Sequence, residues 1–304
     1  MSLAPEAAEY LESLRQIQAP SLESLSVKAA RNLVAPIPGP AEPVAETIDR
    51  RIPGLAGEIP IRTYRHVCHE ESAPAMVFFH GGGWVVGSLD SHDALCRRMC
   101  LACEATVISV DYRLAPEHRF PAAIDDCEAA TRWIASNASE LQIDRGRIAV
   151  CGDSAGGNLA AGVTLRLRGQ VPLAAQVLYY PIVDHSYDTP SYRQNAEGYF
   201  LSRATMEWFW GHYLARPSDG DSVDASPIRA RDFQGLPSAY VLTAGYDPLR
   251  DEGRAYAQKL VGAGVDVTYV EYGGLIHGFL RRPDRFPTML RAIDDVASFL
   301  RRVL

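Results

Sequence analysis

From about residue 75 onward, short apolar runs alternate with segments of helical periodicity. The apolar runs are AMVFF, TVISVDY, RIAVCG, AAQVLYYP, AYVLTAG and VTYVEY, and the helical patterns cover about 91–104, 122–137, 155–168, 249–263 and 287–303. Strands that are apolar almost throughout are typical of parallel sheets with helices on both faces. The alternation predicts an α/β fold with a mostly parallel central sheet, of about eight strands, flanked by helices.

Two segments depart from this alternation. The runs at 46–54 and 58–67 are short and β-rich, and their spacing predicts an antiparallel hairpin. Between the strand that ends near Pro181 and the one that begins near Ala239 lie about 57 residues rich in Tyr, Trp and Phe, with a helical pattern at about 202–214. A connection of this length in a compact domain indicates a lid or a binding element.

The N-terminal part has a different character from the rest. Residues 4–34 carry two amphipathic helical patterns separated by a proline. In the first pattern, Leu11, Leu14 and Ile17 lie on one apolar stripe. The proline-rich stretch PIPGPAEP at 36–43 then predicts a connector. We expect a helical unit tethered ahead of the main domain.

The charge balance and the hydropathy pattern exclude two classes of partner. The 30 Lys and Arg residues against 37 Asp and Glu residues leave a net charge of −7. A surface of this sign repels phosphate backbones, so no nucleic-acid partner is expected. No apolar stretch approaches the ~18 residues of a membrane helix, and no N-terminal signal pattern is present. We expect a cytoplasmic protein without an integral membrane segment.

The six cysteines do not form the dense framework of a small secreted domain. Cys96, Cys100 and Cys103 follow helical spacing, and the last two form a CxxC motif. A redox or zinc site would need a second ligand pair or a strand-to-helix setting, which this motif lacks. Small apolar core thiols are the favoured interpretation, and a redox role of the CxxC is left open.

The stretch VCGDSAGGN at 150–158 places Ser154 in a G-x-S-x-G motif between Gly152 and Gly156. An apolar run precedes the motif and a helical pattern follows it, which is the setting of a nucleophile elbow. In such an elbow the glycines relieve backbone crowding while the serine Oγ is held above the sheet. A helix N-cap is the alternative role for this serine, but it does not account for the flanking glycines. Ser154 is therefore the predicted nucleophile.

A serine hydroxyl needs a base to remove its proton, so a histidine and an acid are expected in the chain order Ser, acid, His. Of the eight histidines, His277 combines this order with a glycine-flanked loop after a strand. Asp247 also follows a strand and is the predicted acid. Asp251 is expected to lie within the next helix and to point elsewhere. Asp184 follows another strand and stays open as an alternative acid, because the roles depend on geometry.

Three consecutive glycines follow His80, where the strand AMVFF ends. When a serine attacks a carbonyl, the oxygen gains negative charge, which pre-aligned backbone N–H groups stabilise. Glycines let the backbone come close enough to provide such donors. We predict oxyanion donors at Gly81 and Gly82, with the N–H of Ala155 as a third. His80 is expected to brace this loop.

Taken in order along the chain, five motifs resemble those of the bacterial hormone-sensitive-lipase-like (family IV) carboxylesterases, which have the α/β-hydrolase fold. The motifs are HGGGW at 80–84, DYRLAPEHRFPAA at 111–123, GDSAGGN at 152–158, DPLRDEG at 247–253 and HGF at 277–279. The resemblance spans most of the chain and implies carboxylester hydrolysis without a cofactor or metal. It assigns Ser154, Asp247 and His277 to the triad and the same three N–H groups to the oxyanion hole.

The resemblance also implies a helical cap built from the N-terminal helices and the long insertion. The predicted organisation is N-terminal cap helices and linker at 1–43, the first part of the hydrolase core at 44–183, a cap insertion at 184–225 and the C-terminal part of the core at 226–304. Four aromatic side chains are predicted to contact the substrate: Trp84, Tyr199, Phe200 and Trp208.

The predicted partner is a small-molecule ester with a short or medium acyl chain. The same triad would cleave an arylformamide, a lactone or an acetylated sugar, because leaving-group selectivity depends on the cap. A non-catalytic ligand receptor on the same scaffold is less favoured, since the plant receptors related to this family lack the catalytic histidine and His277 is present. The sequence does not determine the oligomeric state, and a homodimer is left open.

Overall fold

Eight strands form one sheet in this computed structural model, which describes residues 2–34, 42–66 and 72–304. In chain order they are β1 (Glu46–Gly54), β2 (Gly57–Arg65), β3 (Ala73–Phe79), β4 (Thr106–Val110), β5 (Ile143–Asp153), β6 (Leu173–Tyr179), β7 (Ser238–Tyr246) and β8 (Val267–Ile276). Across the sheet the order is β1-β2-β4-β3-β5-β6-β7-β8. β2 pairs antiparallel with both β1 and β4, and all other neighbours pair parallel. The predicted mostly parallel sheet and its N-terminal hairpin are confirmed.

Among the described residues, two helices precede β1, six lie in the connections between strands, and one follows β8. Within the described ranges they are α1 (Pro5–Gln16), α2 (Val27–Leu33), α3 (Asp93–Cys103), α4 (Ala122–Ser136), α5 (Ala155–Leu167), α6 (Pro190–Gln194), α7 (Arg203–Tyr213), α8 (Arg250–Gly262) and α9 (Thr288–Val303). None of the helices in this part of the chain is long and apolar enough to cross a membrane.

Two hydrophobic cores lie on opposite faces of the sheet, because successive side chains of a strand point to opposite sides. On β3, Val77 and Phe79 belong to the core that α4, α5 and α8 cover. Their neighbours Met76 and Phe78 belong to the other core, which α3 and α9 cover. All four side chains have no exposed surface. Burial on both faces explains why these strands are apolar throughout.

The N-terminal helices lie against both the sheet and the long insertion. The N–H of Ala4 donates to Gly274 O at the end of β8 (2.8 Å). From the turn between α1 and α2, Glu23 accepts a hydrogen bond from the Thr205 hydroxyl of α7 (2.6 Å). Ile17 was predicted to share the apolar stripe of α1, but this is wrong: α1 ends at Gln16, and Ile17 is 73% exposed. Most of the predicted connector, residues 36–41 of 36–43, lies outside the described residues.

The three consecutive glycines at 81–83 form a turn, called the glycine turn below. Arg31 anchors α2 to the segment that follows it. Its guanidinium donates to the backbone oxygens of Val85 and Ala115, each at 2.9 Å, and pairs with Glu117 at 2.6 Å. One side chain thus ties the N-terminal unit to two core loops. Because two of these acceptors are backbone oxygens, the contact depends on the position of the loops as well as on their sequence.

Trp84 closes the glycine turn and packs in the core beneath α7. Its ring stacks on Tyr213 with 4.1 Å between centroids, and it lies 4.5 Å from Trp210. The side chain has no exposed surface.

We expect Trp84→Ala to lower the free energy of unfolding by about 3–5 kcal/mol, because it leaves a large cavity. Urea denaturation measures this loss, and Trp133→Ala, which removes a half-buried ring from α4, should cost clearly less. Equal losses in the two variants would contradict the packing described.

Candidate active site

Ser154 occupies a sharp turn between β5 and α5. Its backbone has φ 58° and ψ −117°, a region that residues with a side chain rarely adopt. The turn brings α5 very close to the end of β3: a Cβ at Gly156 would lie 1.8 Å from Phe79 O, and one at Gly152 would lie 2.4 Å from the Gly156 backbone. Only glycine fits at either position, which accounts for both glycines of the motif.

Three side chains from three strand ends form a continuous hydrogen-bonded chain. The Oγ of Ser154 lies 2.9 Å from Nε2 of His277, and Nδ1 of the same ring lies 2.7 Å from Oδ2 of Asp247. The three residues follow β5, β8 and β7, whose carboxyl ends lie at the same edge of the sheet. The structure therefore brings the predicted nucleophile, base and acid together, although 123 residues separate the serine from the histidine.

The Asp247 carboxylate is held in place from several sides. Its Oδ1 accepts the N–H of Leu249 at 2.9 Å, and its backbone oxygen accepts a hydrogen bond from the Asn195 side chain at 3.2 Å. Asp247 is fully buried, while Ser154 and His277 are each 7% exposed. A small opening therefore remains at the serine end of the chain, whereas the acid is shielded from water.

The two rival carboxylates lie elsewhere. Asp184 pairs with Nε of Arg229 at 2.7 Å. Asp251 lies in α8, as expected, and accepts the N–H of Ser191 at 2.8 Å. Of the three candidate acids, Asp247 is the one whose carboxylate contacts the His277 ring.

Hydrogen bonding in the glycine turn contradicts the predicted oxyanion donor at Gly81. The N–H of Gly81 donates to Oδ1 of Asp153 at 2.8 Å, so it is occupied and does not face a substrate. In the described part of the chain, the N–H groups of Gly82, Gly83 and Ala155 have no hydrogen-bond acceptor. The N–H groups that remain without an acceptor are those of two of the predicted donors, Gly82 and Ala155, together with that of Gly83, which was not predicted.

The backbone of this turn needs its glycines. Gly82 and Gly83 have φ of 116° and 58°, in the region that favours glycine. A Cβ at Gly82 would lie 2.2 Å from Val86 O, and one at Gly83 would lie 2.1 Å from the ring of Phe209 on α7. The run of three glycines indicated that Gly83 could also be a donor. Which of the three N–H groups has no acceptor within the protein depends on contacts with residues outside the motif.

His80 braces the turn, as expected. Its Nδ1 lies 2.8 Å from Gly81 O, and its ring stacks on Tyr112 at 4.3 Å. The Tyr112 hydroxyl donates to His80 O at 2.7 Å. Burial, with a smaller contribution from His92, lowers the pKa of His80 to about 3. The ring is therefore neutral near pH 7 and serves as a packing element.

The four predicted substrate-contacting aromatics have different surroundings. Phe200 is 49% exposed and lies beside the His277 loop, since a Cβ at Gly278 would be 3.4 Å from its ring. Tyr199 packs 4.9 Å from Tyr246, the residue before Asp247. Trp208 is half-buried against other side chains of α7. Trp84 is buried in the core, so its predicted substrate contact is wrong in this structure.

The cysteines lie away from this chemistry. The five described cysteines are buried and unpaired, and Cys68 lies outside the described residues. Burial raises the pKa of both Cys100 and Cys103 to about 12, which leaves little reactive thiolate near pH 7. In the ranges that the structure describes, no three His, Cys, Asp or Glu side chains are arranged to hold a metal ion.

The strained turn leads to a stability prediction. Glycine at position 154 would relieve ~1–3 kcal/mol of backbone strain and cost roughly 0.5–1 kcal/mol in chain entropy. We therefore expect Ser154→Gly to be about 1 kcal/mol more stable than Ser154→Ala in urea unfolding. The control pair at exposed Ser298 of α9 should show the opposite order, because alanine is the better helix former. The same order at both positions would contradict strain at Ser154.

Comparison with known proteins points to one family. A family model described as alpha/beta hydrolase fold matches residues 76–281. Esterase LipI of Mycobacterium tuberculosis is 40% identical over 288 residues, covering 91% of this chain and 89% of that protein. An ethyl acetate hydrolase of Pseudomonas putida is 38% identical over 295 residues, covering 92% and 93% of the two chains.

A solved structure extends the similarity to three dimensions. An ester hydrolase from the metagenome of Lake Arreo, complexed with a derivative of bipyridine phosphonate, superposes with a TM-score of 0.94 at 42% identity and covers 98% of both chains. The matched motifs, the sheet order and these relatives agree. The chain belongs to the hormone-sensitive-lipase-like esterase family of the α/β-hydrolase fold.

Proposed function

We propose that this protein is a serine carboxylesterase that hydrolyses esters of short to medium acyl chains through an acyl-enzyme. The observation that carries the proposal is the continuous chain of hydrogen bonds from Asp247 through His277 to Ser154. Ser154 lies in a strained turn, next to backbone N–H groups that have no acceptor. Such an arrangement suits acyl transfer, because it supplies a nucleophile, a base and charge stabilisation at one point.

The first half of the reaction forms the acyl-enzyme. As the Ser154 Oγ bonds to the ester carbonyl carbon, its proton passes to Nε2 of His277, and the carbonyl π electrons move to the oxygen. The N–H groups of Gly82, Gly83 and Ala155 stabilise the resulting oxyanion. Collapse of this intermediate breaks the bond to the alkoxide, which takes the proton from Nε2 and leaves as the alcohol.

The second half repeats these steps with water. Nε2 takes a proton from the water that attacks the acyl carbon, and it returns the proton to the Ser154 Oγ as the carboxylic acid is released. Asp247 accepts the Nδ1–H of His277, which keeps Nε2 free to accept a proton and stabilises the imidazolium. These steps need no group from outside the chain besides water.

A helical cap formed by α1, α2 and the insertion at 184–225 is proposed to select the substrate. Contacts between the two segments support this: Glu23 bonds Thr205, and Tyr10 of α1 lies 5.9 Å from the ring of Phe200. Phe200 is exposed beside the His277 loop, where it can line the entrance together with Tyr199. Apolar and aromatic side chains at the entrance suit the acyl chain of an ester, and a preference for short chains is in keeping with the relative named for ethyl acetate.

Other acyl substrates remain alternatives on the same triad. An arylformamide, a lactone or an acetylated sugar presents a similar carbonyl and differs in its leaving group. A non-catalytic receptor is disfavoured, because His277 is present and hydrogen-bonded to Ser154. A cytoplasmic location and the lack of a nucleic-acid partner remain predictions from the sequence, and a homodimer stays open.

An ester panel with a covalent probe tests the proposed function. We expect hydrolysis of p-nitrophenyl esters to peak at about butyryl or hexanoyl, because each methylene adds about 0.8 kcal/mol of burial until the entrance is full. Assays with an arylformamide, a lactone and an acetylated sugar distinguish the alternative substrates.

Covalent labelling tests the nucleophile. Diethyl p-nitrophenyl phosphate should add to Ser154, as located by peptide mass spectrometry, and Ser154→Ala should lose both labelling and hydrolysis. Labelling at another residue would refute the assignment of the nucleophile.

A matched pair of substitutions tests the acid. Asp247→Asn is expected to lower kcat by ~10⁴-fold, because an amide cannot hold the tautomer that leaves Nε2 unprotonated. Asp184→Asn removes a partner of Arg229 and should keep kcat within about threefold of the wild type, since this carboxylate pairs with Arg229 and not with the His277 ring. Steady-state kinetics with p-nitrophenyl butyrate decide the matter, and the reverse pattern would move the acid to Asp184.

A further inference from the structure

Asp153 is a buried carboxylate next to the nucleophile that the mechanism above leaves unused. Its carboxylate contacts two residues of the preceding strand–helix connection, Gly81 and His92. At one end, Oδ1 accepts the N–H of Gly81 at 2.8 Å. At the other end, Nε2 of His92 lies 3.3 Å from the same oxygen. One carboxylate therefore contacts both the start of the glycine turn and the residue that precedes α3.

The contact with Gly81 is close on two sides. Besides accepting the N–H, the carboxylate lies directly over the Gly81 Cα: a Cβ there would lie 2.4 Å from Oδ2. The carboxylate thus specifies glycine at position 81 and holds the first peptide of the turn. At the far end of the turn, the N–H groups of Val85 and Val86 both donate to Gly82 O, at 3.1 and 3.0 Å.

These two sets of hydrogen bonds enclose the open donors. Along the backbone, the N–H groups of Gly82 and Gly83 come after the N–H of Gly81, which is bonded to Asp153, and before the N–H groups that donate to Gly82 O. The third donor, Ala155, is two residues from Asp153 along the same backbone. Asp153 therefore connects the two chain segments, the glycine turn and the nucleophile elbow, that must converge on one oxygen.

The carboxylate is charged in this setting. Burial acts to raise the pKa of Asp153, but His92, the Arg281 guanidinium and the Gly81 N–H together outweigh it, and the pKa lies below its usual value. A charged acceptor forms a stronger hydrogen bond with an N–H than a neutral one does. The bond from Gly81 to Asp153 is therefore suited to holding a turn of three flexible residues.

We propose that Asp153 is a positioning residue, which holds the glycine turn against the nucleophile elbow so that the N–H groups of Gly82, Gly83 and Ala155 converge on the oxyanion. The proposal rests on the proposed function, since it assigns Asp153 a part in stabilising the intermediate of ester hydrolysis. It distinguishes Asp153 from a buried carboxylate that only supports the fold, because its loss must weaken binding of the transition state in particular.

The test compares two substitutions of Asp153 with a matched control. Asp153→Ala removes the acceptor, and we expect kcat to fall by ~10²-fold, as when an oxyanion donor is lost, with KM changed less than about threefold. Asp153→Asn keeps an oxygen in place and should lose no more than ~10-fold. Asp126→Ala removes an equally buried aspartate of α4 that pairs with Arg113, and should leave kcat within about twofold while it destabilises the fold.

A transition-state analogue separates positioning from folding. An alkyl trifluoromethyl ketone forms a tetrahedral adduct with the serine and places an anionic oxygen at the donors. Its affinity should fall in Asp153→Ala by the same factor as kcat/KM and should not change in Asp126→Ala. If the two alanine variants bind the ketone equally well, or if Asp153→Ala retains the kcat of the wild type, the proposal is overturned.

A variant on the other side of the contact covers the case in which Asp153→Ala does not fold. Gly81→Ala places a methyl against Oδ2 of Asp153 and should displace the turn, lowering kcat and ketone affinity together. A folded Gly81→Ala with the kcat of the wild type would overturn the proposal. Failure of the proposed function shows itself separately, because the wild type would then neither hydrolyse esters nor label at Ser154.

Discussion

The site depends on the close approach of α5 to the end of β3. With Phe79 O where a Cβ of Gly156 would be, the first turn of α5 lies against the strand that leads into the glycine turn. This contact forces the sharp, positive-φ backbone at Ser154 and brings the glycine turn beside the elbow. The nucleophile, the Ala155 N–H and the Asp153 carboxylate all take their positions from it. A larger residue at 156 would separate these parts at once.

The long insertion also takes part in this arrangement. Its helix α7 places Phe209 flat against Gly83, and Trp84 stacks on Tyr213 of the same helix. The segment that is proposed to select the substrate is therefore in direct contact with the turn that is proposed to stabilise the oxyanion. A change of position in α7 would reach the N–H donors through these rings, since packed cores transmit displacement.

Sequence reasoning succeeded where chemistry and backbone are local and failed where a contact joins distant segments. The strand–turn–helix pattern around Ser154 and the order of Asp247 and His277 were readable, because each follows an apolar strand and parallel strands end at one edge. The donor at Gly81 was wrong because a carboxylate 72 residues away occupies its N–H. A substrate contact at Trp84 was wrong because the insertion buries that ring.

By itself, the sequence determined the α/β class, the mostly parallel sheet, the hairpin and the residues able to act as nucleophile, base and acid. These follow from periodicity, from glycine where the backbone is crowded, and from chain order, all of which are local properties. Only the tertiary structure decided between Asp247 and Asp184 and selected which N–H groups stay open. It also showed Asp153 bonded to Gly81, because packing, and not spacing along the chain, determines which polar groups meet inside a protein.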